Sequence, residues 1–342
     1  MYYILVIFIP WLVVTIWWYI GLLLYLLHKE NLITTTNFGV KILTLGKDEK
    51  VLRRTVWCCQ EKEPLIITRS HVSLPNSKVM PADFESKAKF KGQQLEWARK
   101  EYPYDYTLYL DEDSMCLFDK IPEGDIVQFR EIPVSNNLLI NIIEAHRIGF
   151  QIEQVLFEKT GPLYLWGGGF AVKRWLEDKV TWDRESITED TGFVFSIREP
   201  YVFEYSKKPI YDQAPLKIRD LLRQRHRWAS GTLQDVKYLK NPWRKAFIYF
   251  RTINWGLWIV YATLIPIVYA LNPWLIVPFL VQTAIWSGVG AKLMKFNWWR
   301  SILTVLLAPL ASYIHSFGAL MAVFHPQKRF ITTPKGVRLK AN

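Results

Sequence analysis

Apolar residues are concentrated at the two ends of this 342-residue chain, and this distribution limits the possible folds more than any other feature. Residues 4–27 contain no charged side chain, and three further apolar runs lie at about 253–271, 274–291 and 302–324. A helix needs about 20 apolar residues to cross a bilayer. The pattern therefore predicts four membrane-spanning helices, one before and three after a soluble domain.

The first apolar run could instead be a cleaved signal peptide. However, it has no basic leader, its apolar stretch is too long, and the residues that follow it offer no small-residue cleavage site. We therefore predict a retained transmembrane helix within residues 1–30. In the last run, Pro309 and Gly318 favour a bend or a re-entrant segment over one straight crossing.

Positive charge dominates the chain, which has a formal net charge of +12. Nucleic-acid binding is one possible reason, but the basic residues lie in the middle domain and beside the apolar runs, as expected for a domain on the cytosolic face of an anionic membrane. Three C-terminal spans would place the basic tail, 327–342, on the opposite side, whereas the positive-inside bias favours a cytosolic tail. We predict an integral membrane protein that contacts membrane lipids, with a cytosolic catalytic domain and a cytosolic tail, and no nucleic-acid partner.

Strand-like and helix-like segments alternate through residues 31–214. Such alternation indicates an α/β fold, Rossmann-like, with a mostly parallel sheet and flanking helices, whose ligands bind at the carboxyl ends of the strands. The expected strands are 40–45, 64–68, 106–110 and 124–129, and the expected helices are 49–60, 88–100, 137–154 and 191–198. Residues 215–245 are predicted as basic amphipathic helices on the membrane surface, and 246–326 as the C-terminal spans.

An acidic triplet, Asp111-Glu112-Asp113, follows the apolar strand 106–110 directly. Such triplets are commonly solvated turns or helix caps. Here the strand is apolar enough to be buried, so its end is expected to open into a ligand cleft. We predict that Asp113 binds Mg²⁺ or Mn²⁺, since both ions prefer oxygen ligands, and that Asp111 contacts a nucleotide or reaches the metal through water.

A second acidic motif, Thr188-Glu189-Asp190, precedes a predicted helix. It can be a helix cap, and it can also hold a catalytic carboxylate, because a side chain fixed at a helix start is rigid. If Asp190 faces the cleft, it is the best candidate for a general base.

A third motif, Gln224-Arg225-His226-Arg227-Trp228, lies in the amphipathic segment. Basic residues on such helices often bind only anionic lipid. Alternatively, an arginine could neutralise a diphosphate, while Trp228 offers a flat apolar face to an acceptor. We expect His226 to be solvated or hydrogen-bonded, and the histidine spacing argues against a zinc enzyme.

Together these motifs resemble the membrane-bound family 2 glycosyltransferases, and the egghead-type β-1,4-mannosyltransferases in particular. The resemblance is carried by Leu110–Asp113, the Thr-Glu-Asp motif followed by Gly192-Phe193, Arg223–Trp228, the segment Lys41–Gly46 and the segment Ala88–Ala98. It implies a GT-A fold, a nucleotide-sugar donor of the GDP-mannose or UDP-glucose type, a divalent metal, and inversion by direct displacement.

The resemblance also implies roles for individual residues. The donor would contact Thr44, Gly46, Lys91, Asp111, Asp113 and Arg227. Asp190 would be the base. The acceptor side would be formed by Gly167, Gly168, Gly169, Glu189, Gln224 and Trp228. One departure concerns the nucleobase, because Thr68-Arg69-Ser70 stands where many members have an acidic residue; Asp83 or Glu85 could replace it.

The sequence thus predicts transfer of a hexose, mannose or glucose, to a lipid-linked or glycolipid acceptor. A processive polysaccharide synthase is the first alternative, although four spans are few for a polymer channel. An inactive membrane scaffold is the second, and the intact motif residues argue against it.

Overall fold

A computed structural model describes residues 2–31, 33–158, 161–271 and 273–328, and the side chains within these ranges except those of 2–7, 265, 271 and 275. Most of the predicted basic tail, from residue 329 onward, lies outside the described residues. The helices are α1 Tyr2–Leu27, α2 Glu49–Cys58, α3 Lys91–Glu101, α4 Leu138–Gln151, α5 Arg174–Val180, α6 Glu189–Ser196, α7 Ile218–Asp235, α8 Pro242–Leu271, α9 Ile276–Leu293, α10 Trp298–Leu306 and α11 Ala308–Phe324.

The strands form one large sheet and one small one. They are β1 Thr34–Thr35, β2 Gly39–Thr44, β3 Leu65–Thr68, β4 Ser77–Val79, β5 Tyr106–Asp111, β6 Met115–Cys116, β7 Ile121–Pro122, β8 Ile126–Val134, β9 Gly169–Lys173 and β10 Phe203–Gln213. The large sheet has the order β4-β3-β2-β5-β9-β8-β10-β6, and β1 pairs with β7 separately.

The large sheet is mixed. Strands β4, β3, β2 and β5 pair in parallel, as do β8 and β10, whereas β9 lies antiparallel between β5 and β8. Consequently β8 runs in the same direction as β5. The carboxyl ends of these parallel strands and the first residue of β9 therefore meet at one edge of the sheet. The predicted α/β fold with flanking helices is confirmed, with β9 as an antiparallel insertion that the alternating pattern did not indicate.

The two faces of the sheet have separate apolar cores because successive strand residues point to opposite sides. On one side, Ile42 and Leu108 pack with residues of α2; on the other, Leu43 and Tyr109 pack against α3 and neighbouring segments. The side chain of Asp48 caps α2 as predicted, accepting a hydrogen bond from the Val51 backbone N–H at 3.2 Å. Because both faces of these strands are buried, the strand sequences are nearly continuous apolar runs.

Several boundaries differ from the sequence expectation. Helix α3 begins at Lys91 instead of residue 88, because Phe90 has φ of +56°, which a helix cannot contain. Helix α6 begins at Glu189, two residues before the predicted start at 191. The pattern missed β10 altogether, because Lys207-Lys208-Pro209 interrupts it and the pairing register shifts between Ser206 and Pro209.

Over the described residues, two segments are long and apolar enough to cross a membrane: Phe8–Leu27 of α1 and Ile276–Leu293 of α9. Helices α10 and α11 together would provide a third, but they are bent by 65°. This bend agrees with the expectation for the last run, since Pro309 lies in the first turn of α11 and stops the preceding helix. The run 253–271 lies in α8 but includes residues 265 and 271, whose side chains are outside the described ones, so a span there stays a prediction.

Glycines bring the apolar helices very close to the catalytic domain. A Cβ atom added at Gly290 of α9 would lie 1.6 Å from the Ala145 carbonyl oxygen of α4, and one at Gly149 would lie 2.3 Å from the Trp286 carbonyl oxygen. Small residues of this kind allow close backbone approach between helices. Helix α4 is therefore packed directly against α9.

Helix α7 lies between the catalytic domain and α11. A Cβ atom at Gly318 of α11 would lie 2.5 Å from the Leu222 carbonyl oxygen, and Leu221 and Ala229 are fully buried. Beyond α11, the Gln327 backbone N–H donates to Ser230 Oγ at 2.9 Å, and Gln234 donates to the Gln327 carbonyl at 2.7 Å. Much of the helix predicted to lie on a membrane surface is thus covered by other parts of the protein.

Candidate functional site

A cleft of about 810 Å³ opens at the sheet edge where the strands end. It is lined by most of the predicted site residues, namely Thr44, Lys91, Asp111, Asp113, Gly167, Gly168, Glu189, Asp190, Gln224, Arg227 and Trp228. The topology explains this convergence: Asp111 ends β5, Gly169 begins β9, and Asp212 lies near the end of β10. Residues more than 100 positions apart therefore share one cavity.

Two of the predicted residues do not line the cleft. Gly169 faces Ile210 of β10, whose Cδ1 would lie 2.1 Å from an added Cβ atom. Gly46 lies beside the cleft in a turn with φ of +73°, a conformation that glycine adopts easily. Its backbone N–H donates to Thr44 Oγ1 at 2.8 Å, so Gly46 shapes the cleft wall through Thr44.

Carboxylates surround the point where β5 ends. Asp113 is buried, and one of its oxygens accepts a hydrogen bond from the Gln213 backbone N–H at 3.1 Å. Ser114 donates through its hydroxyl to Asp212, which also lines the cleft. Asp212 was missed by the sequence analysis because β10 was missed. A concentration of carboxylate oxygens fits a hard divalent cation such as Mg²⁺ or Mn²⁺.

Lys91 lies at the centre of the charged groups. Its Nζ is 2.5 Å from Asp111 Oδ1 and 3.8 Å from Glu189 Oε1, and it donates to the Gly167 carbonyl at 3.0 Å. Burial alone would lower the pKa of Lys91, but the neighbouring Asp111, Glu189 and Asp190 carboxylates outweigh it and raise the pKa to about 12. Lys91 is therefore a permanent cation in the cleft.

Asp190 is held in the first turn of α6. Its Oδ1 accepts a hydrogen bond from the Thr191 backbone N–H at 2.8 Å. Burial and the adjacent Glu189 carboxylate raise the pKa of Asp190 well above its ordinary value, against the opposing charge of Lys91. Thr188 is the N-cap residue of α6 but makes no side-chain cap, because its hydroxyl donates to Asp235 Oδ2 at 2.8 Å. Asp190 lies in the first turn and faces the cleft, and a carboxylate with a raised pKa is a stronger proton acceptor than an ordinary aspartate.

Gly167 and Gly168 allow the charged side chains of the cleft to lie close to the backbone. A Cβ atom on Gly167 would lie 2.8 Å from Asp190 Oδ2 and 2.9 Å from Lys91 Nζ. On Gly168 it would lie 2.2 Å from Asp212 Oδ2. Only glycine leaves space for these charged groups beside the backbone.

The end of the cleft that lies beyond β2 and β3 carries no acidic residue at the position expected for nucleobase recognition. Arg69 lines this end, and it donates to the Phe90 carbonyl at 2.7 Å and to Gln93 Oε1 at 2.9 Å. Asp83 and Glu85, named as possible replacements, are exposed and do not line the cleft. Asp48 does line it, although its carboxylate also caps α2.

Helix α7 supplies the opposite wall through Gln224, Arg227 and Trp228. The Arg227 guanidinium is buried, which lowers its pKa, while Glu189, Asp190 and Asp111 oppose that shift. The ring of Trp228 lies 4.4 Å from the guanidinium carbon of Arg225 and 5.4 Å from that of Arg147. These cation–π contacts fix the orientation of the ring at the cleft surface.

Beside this wall lies a buried set of charges that we name the junction network, formed by Glu131, Arg147, Glu144 and Arg225, of which the first three also line the cleft. Arg147 pairs with Glu131 at 2.7 Å and with Glu144 at 2.5 Å, and Arg225 pairs with Glu144. The sequence showed Glu144 and Arg147 on one helix, but nothing in it indicated their distant partners. The network links β8, α4 and α7.

The cleft extends past the junction network to the apolar helices. Arg251 and Trp255 of α8 and His315 of α11 line this extension. Arg251 pairs with Glu153 at 2.8 Å, and the Arg225 Nε donates to His315 Nδ1 at 3.3 Å. His226 does not contribute, since its ring nitrogen contacts the His325 carbonyl oxygen at 2.7 Å. A substrate in the cleft could therefore contact both the sheet edge and the apolar helices.

With this geometry established, the chain can be compared with known proteins. A family profile described as "Glycosyl transferase family group 2" matches residues 108–325, more than half of the chain. This protein belongs to that family. It is a glycosyltransferase, and the resemblance seen in the motifs is confirmed.

Two relatives show how far the likeness extends. The β-1,4-mannosyltransferase egh of Drosophila melanogaster is 23% identical over 308 residues, covering 76% of this chain and 66% of its own length. This chain thus spans slightly less than two thirds of that curated relative. A mannosyltransferase from Pyrobaculum calidifontis, solved with GDP-Man and Mn²⁺, is 12% identical, with a TM-score of 0.52 over 88% of this chain and 93% of that one. At this identity the second likeness shows the fold alone.

Proposed function

We propose that this glycosyltransferase transfers a hexose from a nucleotide-sugar to a lipid-linked or glycolipid acceptor. Mannose is the hexose that we propose first. The single observation that carries the proposal is the cleft itself, in which Asp190, Lys91 and Arg227 meet at one end and helices α8 and α11 line the other. The similarity to two mannosyltransferases supports the choice of sugar. A donor of the GDP-mannose type is therefore expected, with the UDP-glucose type as the alternative.

Asp190 accepts a proton from the acceptor hydroxyl as that oxygen attacks the anomeric carbon. The bond from this carbon to the donor diphosphate breaks in the same step, so the sugar inverts and a nucleoside diphosphate leaves. Lys91 and Arg227 contribute fixed positive charge where the diphosphate gains negative charge. Because these cations are already held in place, little reorganisation is needed during the reaction.

A divalent ion fits the carboxylates at the end of β5. Asp113 would be its ligand, and Asp111, which lines the same cleft, would contribute through water, because oxygen donors suit Mg²⁺ and Mn²⁺. The bound ion would shield the donor diphosphate and stabilise its developing charge. Gln213 orients the Asp113 carboxylate through its backbone N–H at 3.1 Å.

The acceptor would enter along α7 and the apolar helices. Trp228, Gln224 and Trp255 line this side of the cleft, and an indole face can pack on a sugar ring or an apolar chain. The direct packing of α4 on α9 keeps this entrance close to the membrane segments. We place the catalytic domain on the cytosolic side, where nucleotide-sugars are supplied.

The deciding experiment measures donor hydrolysis and sugar transfer by purified full-length protein with GDP-mannose, UDP-glucose and UDP-N-acetylglucosamine. Lipid-linked and soluble acceptors are compared, and product length is determined. We expect transfer of one hexose from GDP-mannose to the lipid-borne acceptor. Preference for a soluble acceptor would contradict the acceptor assignment, and long products would support a processive synthase.

Asp113→Asn tests the metal assignment directly. Removing one carboxylate charge should abolish the stimulation of donor binding by Mn²⁺, because the ion loses its main ligand. Donor binding is measured by calorimetry with and without Mn²⁺, and the exposed Asp119→Asn serves as the matched control. An Asp113→Asn protein that keeps the full metal effect would disprove this role.

A further inference from the structure

A group of ionisable side chains outside the cleft lies where the first helix joins the catalytic domain. Helix α1 ends at Leu27, and the next residues run along β10. The Lys207 ammonium donates to the His28 carbonyl at 2.9 Å, and Ser206 Oγ donates to Glu30 at 2.8 Å. These contacts fix the segment after α1 against the sheet.

Three potential metal-binding side chains converge at this place. His28, Glu158 and Glu204 each present one ligand atom, and these atoms all lie within 4.8 Å of one another. The His28 side chain is only 7% exposed and that of Glu158 is 24% exposed. The group is therefore built into the protein and is not a chance cluster on a mobile surface. None of the three residues lines the catalytic cleft.

The hydrogen bond of His28 defines which ring nitrogen faces the carboxylates. Its Nε2 lies 3.1 Å from the Tyr205 carbonyl oxygen, which can only accept a hydrogen bond. Nε2 therefore carries a proton, and Nδ1 points to Glu158 Oε2 at 3.4 Å. In a neutral imidazole, Nδ1 has a lone pair, so two electron-rich atoms face each other. Histidine ligands of metals are usually oriented in this way, by donation from the other ring nitrogen to a carbonyl or carboxylate.

Two species could lie between these atoms and remove their repulsion: a proton, held by Nδ1 or by the Glu158 carboxyl, or a metal ion. A proton would supply one positive charge against the two carboxylates, whereas a divalent ion would neutralise both. Each carboxylate is already oriented by a backbone donor, Glu158 by the Tyr205 N–H at 3.2 Å and Glu204 by the Asn31 N–H at 3.1 Å. Oriented ligands of this kind favour metal binding.

The ligand set indicates which ion would bind. One imidazole nitrogen and two carboxylate oxygens, with a water as the fourth ligand, suit the four-coordinate shell of Zn²⁺, whereas Mg²⁺ and Ca²⁺ prefer oxygen alone. We propose that His28, Glu158 and Glu204 form a zinc site that joins the end of α1 to the catalytic domain. The site lies outside the cleft, so it does not conflict with the argument against a zinc enzyme.

The site would connect three distant parts of the chain. His28 follows α1, Glu158 follows the segment after α4, and Glu204 is the second residue of β10. Because the ligands are so far apart in sequence, no short spacing motif reveals them. Such a cross-link would limit the motion of α1 relative to the sheet and would add the free energy of metal binding to folding.

The test uses purified full-length protein in detergent, dialysed to remove weakly bound ions. Zinc content is measured by mass spectrometry, and the thermal midpoint is measured with and without added ZnCl₂. We expect about one zinc per chain in the wild type and a rise in the midpoint on zinc addition. His28→Ala and Glu204→Gln should lower zinc affinity by at least about tenfold. Glu204→Gln keeps the acceptor for the Asn31 N–H, so it should still fold.

Matched controls separate this site from others. His71→Ala and Glu101→Gln change exposed residues and should leave zinc content unchanged. Asp113→Asn should also keep its zinc, because the ion does not belong to the cleft. The proposal is overturned if the wild type binds no more zinc than His28→Ala. It is equally overturned if added zinc leaves the thermal midpoint of the wild type unchanged.

Discussion

Two groups of buried charge lie within the same cleft, and they differ in balance. In the junction network, two arginines pair with two glutamates, and each contact is a direct ion pair. In the group around Lys91, three carboxylates, Asp111, Glu189 and Asp190, surround one lysine. The first group is neutral as a whole, whereas in the second the carboxylates outnumber the cation.

This difference distinguishes charges that hold the fold together from charges that are available for the reaction. Balanced buried pairs satisfy each other and hold β8, α4 and α7 together. Burial, and repulsion between the unbalanced carboxylates, raise the pKa of Asp190 and favour a cation nearby. The same residue types therefore have different roles, and the local ratio of charges distinguishes them. The four variants and conditions below test this distinction.

Asp190→Asn should have the largest effect. It removes the proton acceptor, and general bases typically contribute about 10²–10⁴-fold to the rate. We expect the transfer rate to fall by that factor while metal-dependent donor binding is retained. Steady-state transfer and donor calorimetry measure the two properties, with the exposed Asp105→Asn as the matched control. Loss of donor binding in Asp190→Asn would mean that this carboxylate does not act as the base.

Glu144→Gln should affect stability most. It removes one partner of two buried arginines, and such a loss typically costs about 3–5 kcal/mol. We expect the free energy of unfolding in detergent to fall by this amount, measured by denaturant titration. Glu61→Gln, an exposed change, provides the comparison. A stable Glu144→Gln protein with a large defect in transfer would instead place the junction network among the reactive charges.

Gly167→Ala should have an intermediate effect on catalysis. The added methyl group would meet Asp190 and Lys91 within 3 Å, so both must move. A displacement of about 1 Å can cost roughly 10²-fold in rate. Gly288→Ala is the control, because a Cβ atom there makes only an ordinary contact. Equal rates for the two variants would show that the loop tolerates a side chain.

The smallest effect concerns pH. Asp190 accepts a proton only when ionised, and its raised pKa means that ionisation is lost at a higher pH than the ~3.9 of a free aspartate. The rate at low substrate concentration should therefore decrease as pH falls through this raised value. Glu189→Gln removes the like charge and should move that decrease to lower pH by roughly one unit. An unchanged pH profile would show that Glu189 does not raise the pKa of Asp190.

The sequence predicted the site residues that lie next to local signals. Asp111 and Asp113 follow an apolar strand, and Asp190 begins a helix, so each position can be inferred from its neighbours. These residues do line one cleft, as expected for strands that end at the same sheet edge. Their catalytic roles remain predictions.

Features that depend on distant pairing were beyond sequence reasoning. Strand β9 is antiparallel, and β10 contains Lys207-Lys208-Pro209 within a bulge, so neither showed the expected period. Asp212 was missed for that reason. The partners in the junction network are far apart in sequence, and their pairing depends on how α4, α7 and β8 pack together.

The hydrogen bonds between Gln327 and α7 have a topological consequence. They place the end of the described chain beside the helix that lines the cleft. Two points on one side of a bilayer are joined by an even number of complete crossings. We therefore predict an even number of crossings between α7 and Gln327. The pair bent by 65°, α10 and α11, is the segment that we expect to enter and leave on the same face.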